Sequence, residues 1–230
     1  MERVRAPTVL LFDIDGTLVT TGGAGRRAME RAFEQTTGRR DATRFPFAGM
    51  TDRAIVRMGL RMVGHEDDDQ AVDRLLAIYI SLLGAEVDAA SDYDVYPGIV
   101  RALDAAERTA DTAVGLGTGN VREGARIKLS RGKLHQRFAF GGFGCDHEER
   151  AELLRAGAER GAAWLRRPRS ECRVVVIGDT VRDVDAGLAI GAEVLAVGTG
   201  GEELEVLRAR GASLAVRDLD EPGALDALLG

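Results

Sequence analysis

Four aspartates in this sequence are spaced so that their carboxylates could act on one substrate. Asp13 and Asp15 stand one residue apart after an apolar run, and Asp179 and Asp183 follow a second run of the same kind. One carboxylate of such a set can attack phosphorus and form an aspartyl-phosphate, while another protonates the leaving oxygen and later activates water. Because an oxygen-rich site without histidine or cysteine suits Mg²⁺, the four aspartates predict magnesium-assisted phosphoryl chemistry.

Small and hydroxyl-bearing residues at the same places could bind the phosphoryl group. A glycine lets the backbone turn tightly, so that successive N–H groups can surround a phosphate, and a threonine hydroxyl can donate to a phosphoryl oxygen. Two such residues follow the first pair of aspartates at once, and two more, with an asparagine after them, follow an apolar run in the middle of the chain. The candidates are Gly16, Thr17, Thr118, Gly119 and Asn120.

A cation is also needed to stabilise the negative charge on a transferring phosphoryl group. Arg150 is the first candidate, because it lies in the first turn of a helix that Asp146 is predicted to cap, where the helix dipole disfavours a cation. Lys128 is the second candidate, because it lies about two turns into the helix after Thr118 and could reach back to the site. The sequence leaves both open.

The elements that would position these residues are indicated by short apolar runs that recur along the chain. Runs of this length without polar alternation are typical of strands covered on both faces, as in a parallel sheet. Helical patterns alternate with them in the later part of the chain, which predicts an α/β fold, a Rossmann-like parallel sheet with helices on both faces. Ligands of such sheets bind at the carboxyl ends of the strands, where the candidate residues lie. The predicted strands are 8–12, 112–116, 173–177, 193–197 and 213–216.

The segment after the first strand has a different pattern. No further strand is indicated before residue 112, whereas apolar residues recur there at helical spacing. This pattern predicts a helical domain at residues 21–92, inserted into a core that residues 1–20 and 93–230 form. We expect the inserted domain to select the substrate.

A loop early in the inserted domain, FAGMTDRAI (47–55), is the candidate for that selection. Its residues Thr51, Asp52 and Arg53 could face the acidic edge of the sheet and contact the substrate. The alternative is that Thr51 or Asp52 only caps the helix that follows.

The overall composition excludes several classes of function. The formal net charge is −6 and the sequence pI is near 5.3, which argues against a nucleic-acid-binding protein, because such proteins normally present a basic face. The N-terminal apolar run is short and ends in acids, so it indicates neither a signal peptide nor a membrane span. Two cysteines do not form a disulfide framework, which favours a reducing, cytoplasmic location. We expect neither a nucleic acid nor a membrane as partner.

Three segments of the sequence resemble the signature motifs of the haloacid dehalogenase-like (HAD) hydrolase superfamily. They are DIDGT (13–17), GLGTGN (115–120) and GDTVRD (178–183), and their order and approximate spacing also match. The similarity extends over essentially the whole chain, and the inserted segment resembles the helical cap of phosphoglycolate-phosphatase-like and beta-phosphoglucomutase-like members. The resemblance implies a small phosphorylated metabolite as substrate and Mg²⁺ as cofactor.

The resemblance also implies a role for each matching residue. Asp13 would be the nucleophile and a Mg²⁺ ligand, and Asp15 would be the general acid/base, with its backbone carbonyl on the metal. Asp179 would ligate Mg²⁺ and Asp183 would support the metal shell. Thr118 would bind the phosphoryl group.

Two features decide between subclasses of this superfamily. The lysine–proline pair that is common in its third motif is absent, and Arg150 stands roughly in its place, with Lys128 as the alternative. A degenerate phosphate-binding member is therefore one alternative to an active enzyme.

Asp15 favours phosphate chemistry over dehalogenation, because a halide leaves without a proton. A phosphomutase is the other alternative, and the sequence indicates neither the substrate nor the oligomeric state.

Overall fold

A parallel sheet forms the centre of the computed structural model, which describes residues 5–230. The strands within those residues are β1 (Thr8–Phe12), β2 (Val19–Thr21), β3 (Tyr93–Val95), β4 (Thr112–Thr118), β5 (Phe140–Phe143), β6 (Arg173–Gly178), β7 (Glu193–Val197) and β8 (Leu214–Val216). Six of them form the sheet, in the order β5-β4-β1-β6-β7-β8, and every neighbouring pair is parallel. The predicted strands and the α/β fold class are confirmed.

Helices cover both faces of the sheet. Within the described residues they are α1 (Ala24–Thr37), α2 (Asp52–Met62), α3 (Asp69–Ala89), α4 (Ile99–Arg108), α5 (Arg122–Ser130), α6 (Arg150–Trp164), α7 (Val181–Ala189), α8 (Leu204–Arg210) and α9 (Ala224–Leu229). None of these helices in residues 5–230 has both the length and the apolar character needed to cross a membrane.

The side chains of β1 hold the two layers of helices to the sheet. Leu10 and Phe12 point to one face and pack in the cluster that includes α4 and α9, whereas Val9 and Leu11 point to the other and pack in the cluster that includes α6 and α7. All four side chains are completely buried. Each such side chain contributes about 1.5–3 kcal/mol by leaving water. The alternation explains why a continuous apolar run is compatible with one strand.

The helices α1, α2 and α3 lie between β1 and β4 in the chain and have a hydrophobic cluster of their own. Met29 and Phe33 of α1 pack in it with Leu75 and Leu83 of α3. We call α1–α3 the inserted helices. They therefore bury their apolar faces mainly against one another.

Two short strands join the inserted helices to the sheet layer. β2 pairs with β3 in an antiparallel ribbon, with Val19 opposite Val95. The expectation that no strand occurs between β1 and residue 112 is therefore wrong. Each strand of the ribbon has only three residues, which is too short to produce a periodic pattern that the sequence could reveal.

Candidate active site

Three aspartates meet at the carboxyl edge of the sheet. Phe12 of β1 is in register with Ile177 of β6, so Asp13 and Asp179 leave the two strands at the same level. Asp183 approaches them from the first turn of α7, and one carboxylate oxygen of each aspartate lies within 4.8 Å of the others. All three side chains are buried. A buried group of negative charges needs nearby cations to be stable.

Arg150 supplies one of these cations. Its Nη2 lies 2.8 Å from Asp13 Oδ2 and 2.6 Å from Asp183 Oδ1, and its Nε donates a hydrogen bond to Asp183 Oδ1 at 2.8 Å. The Nη2 contacts lack hydrogen-bond alignment, so Nη2 has no hydrogen-bond partner within the described chain. Burial acts to lower the pKa of Arg150, but Asp13 and Asp183 raise it above its ordinary value. A permanent positive charge thus lies beside Asp13.

The start of α6 brings Arg150 to this place. The helix begins at Arg150 with Glu149 as its N-cap, so the prediction that Asp146 caps it is wrong. Asp146 instead accepts a hydrogen bond from the backbone N–H of Phe143 at 2.9 Å and pairs with Arg160 at 2.6 Å. The carboxylate that was expected at the helix start is therefore used to fix the loop before it.

Asp13 and Asp179 are better placed than Asp183 to hold a metal ion directly. Both oxygens of Asp183 are engaged, since Oδ1 accepts from the guanidinium and Oδ2 accepts from the backbone N–H and the hydroxyl of Thr180 at 3.0 and 2.6 Å. Asp179 accepts one hydrogen bond from the described residues: the Thr17 hydroxyl donates to its Oδ1 at 2.8 Å. The free carboxylate oxygens are ligands that Mg²⁺ prefers, so the residues present fit this ion.

A loop that the sequence did not single out completes the surroundings of Asp179. Thr199 follows β7, and its hydroxyl donates a hydrogen bond to the carbonyl of Gly16. A Cβ atom at Gly16, which has φ +82°, or at Gly200 would overlap the Asp179 carboxylate. The available signal was GTGG (198–201), which follows a predicted strand and so lies at the same edge of the sheet.

Burial makes the ionised forms of the central carboxylates costly. It raises the pKa of Asp13 to about 6, against the opposing effect of Arg150. The pKa of Asp179 is raised well above its ordinary value, chiefly by burial and then by the charges of Asp183 and Asp13. A divalent cation between Asp13 and Asp179 would favour the carboxylate form of both. The electrostatics therefore agree with the ligand chemistry.

Asp15 lies beside this group and is held by different donors. Its Oδ2 accepts from Lys128 Nζ at 2.6 Å and from Asn120 Nδ2 at 2.9 Å. Its Oδ1 accepts no hydrogen bond from the described residues, and 44% of the side chain is exposed. One oxygen of Asp15 is thus fixed, while the other is accessible to a bound molecule.

Thr118 and Asn120 follow β4 and lie between the two groups of acids. The Thr118 hydroxyl is fully buried, and its oxygen accepts from the backbone N–H and the Nδ2 of Asn120 at 3.3 and 2.9 Å. The same hydroxyl favours the ionised form of Asp13 and so acts to lower its pKa. Asn120 Oδ1 is buried without a hydrogen-bond partner in the described chain. A water or a substrate hydroxyl could donate to it.

Residues 47–51, which we call the docking loop, bring the inserted helices against this edge of the sheet. Arg150 Nη1 donates to the carbonyl of Gly49 at 3.4 Å. The carbonyl of Met50 comes so close to Gly119 that a Cβ atom at Gly119 would overlap it. The loop therefore contacts both the cation and the turn that follows β4.

Asp52 continues this contact at the start of α2. Its backbone N–H donates to the carbonyl of Gly119 at 2.8 Å, and its carboxylate accepts from the N–H of Val121 at 2.8 Å. Burial raises the pKa of Asp52 to about 6, with Lys128 opposing the rise. Burial also opposes the charge of Lys128, but Asp15, Tyr79 and Asp52 together raise the pKa of Lys128 above its ordinary value. Lys128 is therefore a buried cation between Asp15 and the inserted helices.

A pocket of about 360 Å³ lies between the sheet edge and the inserted helices. Asp13, Asp15, Asp179 and Arg150 line it on the side of the sheet. Gly16, Gly119, Asn120, Lys128 and Asp52 also line it, as do Arg26 and Tyr96, which were not among the predicted site residues. Most of the predicted site residues thus converge on a single pocket.

Two predicted residues of the inserted segment point elsewhere. Arg53 pairs with Asp69 at 3.0 Å and also with Asp73, both on α3, and it does not line the pocket. Thr51 is the N-cap of α2, and its hydroxyl oxygen accepts from the N–H of Ala54 at 3.2 Å. Substrate contact by Arg53 therefore stays a prediction that its pairing with α3 does not support, and Thr51 caps α2 while its hydroxyl also donates to the carbonyl of Glu148 at 3.2 Å. Thr17 and Thr118 do not line the pocket either. Their hydroxyls lie beside the aspartates on the side away from the pocket, where Thr17 donates to Asp179.

Comparison with known proteins identifies relatives of this fold. The sequence profile of the haloacid dehalogenase-like hydrolases matches residues 7–191. A hydrolase from Pseudomonas syringae has 21% identity and a TM-score of 0.70, over 97% of this chain and 100% of that chain. CbbY from Rhodobacter sphaeroides, solved in complex with phosphate, has 18% identity and a TM-score of 0.71, over 97% and 99% of the two chains. A predicted phosphatase from Clostridium acetobutylicum has 17% identity and a TM-score of 0.67, over 94% and 96%. No curated protein matches the sequence.

Proposed function

This chain belongs to the haloacid dehalogenase-like hydrolases, and from its pocket we propose that it is a Mg²⁺-dependent phosphatase that hydrolyses a small phosphomonoester. The observation that carries the proposal is the position of Asp13, which lines the pocket between Asp179 and a fixed guanidinium. Asp15 lies in the same pocket with one free oxygen. A dehalogenase would not need this second acid, because a halide leaves without a proton.

We assign the two halves of the reaction to Asp13 and Asp15. A carboxylate oxygen of Asp13 attacks phosphorus and the bond to the leaving oxygen breaks, while Asp15 gives that oxygen its proton. Asp15 then takes a proton from water, whose oxygen attacks the aspartyl-phosphate, so that inorganic phosphate and Asp13 are released. The free Oδ1 of Asp15 is the atom that carries the proton in both halves.

The charge of the phosphoryl group is balanced by groups on several elements. Arg150 Nη2, which has no hydrogen-bond partner in the described chain, is available to donate to a phosphoryl oxygen. The turn at Gly119 offers a backbone N–H group, whereas the N–H groups of Gly16 and Thr17 already donate to the carbonyls of Val19 and Ile14 at 3.1 and 3.3 Å. Mg²⁺, held by Asp13, Asp179 and the backbone carbonyl of Asp15, would supply positive charge that reduces the repulsion between carboxylate and phosphate. Asp183 would orient Arg150 rather than bind the ion directly.

We further propose that residues 21–92 act as a cap over a core formed by residues 1–20 and 93–230. The docking loop and Asp52 support this role, because they connect the inserted helices to Arg150, Gly119 and Val121 around the pocket. Contacts that close the pocket exclude water while the phosphoryl group is transferred. The cap would also select the leaving group.

Phosphate release from p-nitrophenyl phosphate, measured with and without Mg²⁺, tests the proposed function. We expect turnover that EDTA abolishes and Mg²⁺ restores. Asp13→Asn should reduce it to background, because the amide cannot attack phosphorus, and Asp185→Asn should leave it unchanged, because Asp185 pairs with Arg210 at the surface. Near-normal activity in Asp13→Asn would exclude the aspartyl-phosphate mechanism. Absence of turnover in the wild type with any phosphomonoester would instead favour a non-catalytic phosphate-binding protein.

A further inference from the structure

We propose that the substrate's leaving group is uncharged and carries an apolar surface, such as an aryl or branched alkyl group, and has no second anionic group. This inference rests on the proposed phosphatase function and names the substrate class of the same pocket. Two observations support it: five apolar or aromatic side chains of the inserted helices and the docking loop line the pocket, and the lining cations of the described chain already contact acids or carbonyls of the protein.

The inserted helices and the docking loop build the apolar wall. Met29 of α1, Ile55 of α2 and Tyr79 of α3 are only 1%, 5% and 1% exposed, yet all three line the pocket. Phe47 and Met50 of the docking loop extend the same wall. Apolar surface that is buried there gains about 25 cal/mol per Å², whereas a carboxylate would lose its hydration with only the Tyr79 hydroxyl among these five side chains able to donate to it. The wall therefore favours an apolar group next to the phosphoryl site.

Arg26 is a lining cation that contacts this wall, and both of its terminal nitrogens donate to backbone carbonyls. Nη1 donates to the carbonyl of Thr43 and Nη2 to the carbonyl of Phe45, both at 3.1 Å. The guanidinium carbon also lies 3.9 Å from the centre of the Phe47 ring. These contacts hold Arg26 flat against residues 43–47 and use two of its five N–H donors, so its guanidinium could not turn toward a substrate carboxylate without giving them up.

The two other cations that line the pocket in residues 5–230 are neutralised by acids. Arg150 lies between Asp13 and Asp183, and Lys128 is bonded to Asp15 with Asp52 close by. The carboxylates that line the pocket outnumber its cations before the phosphate is added. Mg²⁺ would add positive charge at the phosphoryl site, but the lining side chains themselves offer no excess of positive charge to a second anion on the substrate.

The size of the pocket agrees with a leaving group of modest size. Its 360 Å³ lies near the lower end of the range of about 300–1,000 Å³ that is usual for small-molecule sites. A phosphoryl group next to one ring or one branched chain would fill such a space.

Two matched esters separate the two substrate classes. Benzyl phosphate and 2-phosphoglycolate are both primary alkyl phosphomonoesters, and they differ in carrying a phenyl group or a carboxylate on the same carbon. We expect kcat/KM with Mg²⁺ to be at least about tenfold higher for benzyl phosphate. An equal or higher value for 2-phosphoglycolate would overturn the inference while leaving the phosphatase function intact.

A binding measurement keeps the inference testable even without turnover. Calorimetry in the presence of Mg²⁺ should show tighter binding of benzylphosphonate than of phosphonoacetate, a pair with the same phenyl-for-carboxylate exchange. Tighter or equal binding of phosphonoacetate would overturn the inference. If wild-type protein hydrolyses no ester, including p-nitrophenyl phosphate, the proposed function fails, and the calorimetric preference alone then supports or contradicts the apolar wall.

A variant of the wall and a matched control locate the preference. Phe47→Ala should lower kcat/KM for benzyl phosphate by about tenfold more than it lowers that for 2-phosphoglycolate. Met62→Ala removes a comparable apolar side chain that is 51% exposed on α2 and outside the pocket, so it should change neither value. An equal loss for both esters in Phe47→Ala would show that Phe47 supports the fold and does not select the leaving group.

Discussion

Arg150 and Lys128 are both buried cations of the pocket, but they contact different acids. Arg150 lies between Asp13 and Asp183. Lys128 instead donates a hydrogen bond to Asp15 Oδ2, which also accepts one from Asn120. In the proposed reaction charge changes at Asp13 and at the phosphoryl group, next to Arg150. The position of Lys128 instead fixes the orientation of the acid/base. The two cations should therefore differ in what their removal costs.

Removal of Arg150 should be more damaging to turnover than removal of Lys128. Arg150→Ala should lower kcat/KM by about 10²–10³-fold, the range seen when one donor to a developing charge is removed. Lys128→Met keeps the aliphatic stem and leaves Asn120 on Asp15, so the loss should be smaller and fall mainly on kcat. Steady-state kinetics of the two variants with p-nitrophenyl phosphate measures the difference.

The fold of these variants needs its own control. Arg150→Ala leaves Asp13 and Asp183 without a partner, which is destabilising, so Arg150→Lys should be measured beside it. Partial recovery of activity in Arg150→Lys, with a normal circular dichroism spectrum, would assign the loss to charge. A larger loss in Lys128→Met than in Arg150→Ala would contradict the assignment of Arg150 as the cation of the reaction.

Replacing Asp52 should change how stability depends on pH. Burial raises the pKa of Asp52 from 3.8 to about 6, so the folded state keeps this proton where the unfolded chain has lost it. The resulting stabilisation of the folded state is present below about pH 4. It is lost as the pH rises to about 6, which lowers the free energy of unfolding by about 3 kcal/mol. Asp52→Asn has no such proton but can still accept from Val121, so it should gain stability relative to the wild type over that range.

Urea unfolding of both proteins between about pH 4 and pH 7 measures this difference. Asp94→Asn is a suitable control, because Asp94 also accepts a backbone hydrogen bond, from Val95 at 2.8 Å, but is exposed. Its profile should run parallel to that of the wild type. A parallel profile for Asp52→Asn as well would mean that Asp52 titrates normally in the folded protein.

At the residue scale, the sequence predicts where a functional residue lies in the fold better than it predicts the direction of its side chain. Asp13, Asp15 and Asp179 could be predicted to meet, because each follows an apolar run and the strand ends of a parallel sheet share one edge. The contacts of Arg53 could not be predicted, because whether its side chain reaches the pocket or the acids of α3 depends on how α2 packs on α3. Which carboxylate Lys128 contacts is likewise decided by the inclination of α5, which no local pattern encodes.

At the scale of elements, the contact between the docking loop and the turn after β4 connects the inserted helices to the sheet edge. Met50 and Asp52 both meet Gly119 there, through a close backbone approach and a hydrogen bond. Because the contact requires the absence of a side chain at position 119, it offers a way to disturb closure without touching any charged residue.

Gly119→Val should lower turnover by opening this contact. The new side chain would overlap the Met50 carbonyl and displace the docking loop, so we expect kcat/KM for p-nitrophenyl phosphate to fall by at least about tenfold. Gly84→Ala is the control, because a Cβ atom at Gly84 in α3 meets nothing within 4 Å. It should keep full activity and gain slightly in stability. Full activity in Gly119→Val would show that the docking loop is not needed for turnover.

The elements that the sequence missed are short or rich in glycine. β5 has the sequence FGGF, which indicates a turn rather than a strand. Its glycines are required because α6 packs closely on it: a Cβ atom at Gly142 would overlap the carbonyl of Leu153. Tertiary contact thus determines the composition of this strand, and local propensity was misleading for that reason.

At the scale of the whole molecule, the distribution of charge matters more than its sum. The formal net charge is only −6 over 230 residues, yet Asp13, Asp179 and Asp183 are buried within 4.8 Å of one another. Arg150 is the guanidinium in contact with two of them. The repulsion that remains opposes folding, and it is concentrated at the site where we propose that Mg²⁺ binds.

Mg²⁺ should therefore raise the melting temperature of the protein. A ligand that binds only the folded state at 100 times its Kd stabilises it by about 2.7 kcal/mol, which for a chain of this size corresponds to a shift on the order of 5–10 °C. Scanning calorimetry with and without Mg²⁺ measures the shift. Asp179→Asn should lose most of it, because it removes a charged ligand that is 4% exposed, whereas Asp185→Asn should keep it. An equal shift in Asp179→Asn would place the ion elsewhere on the molecule and remove the metal from the proposed reaction.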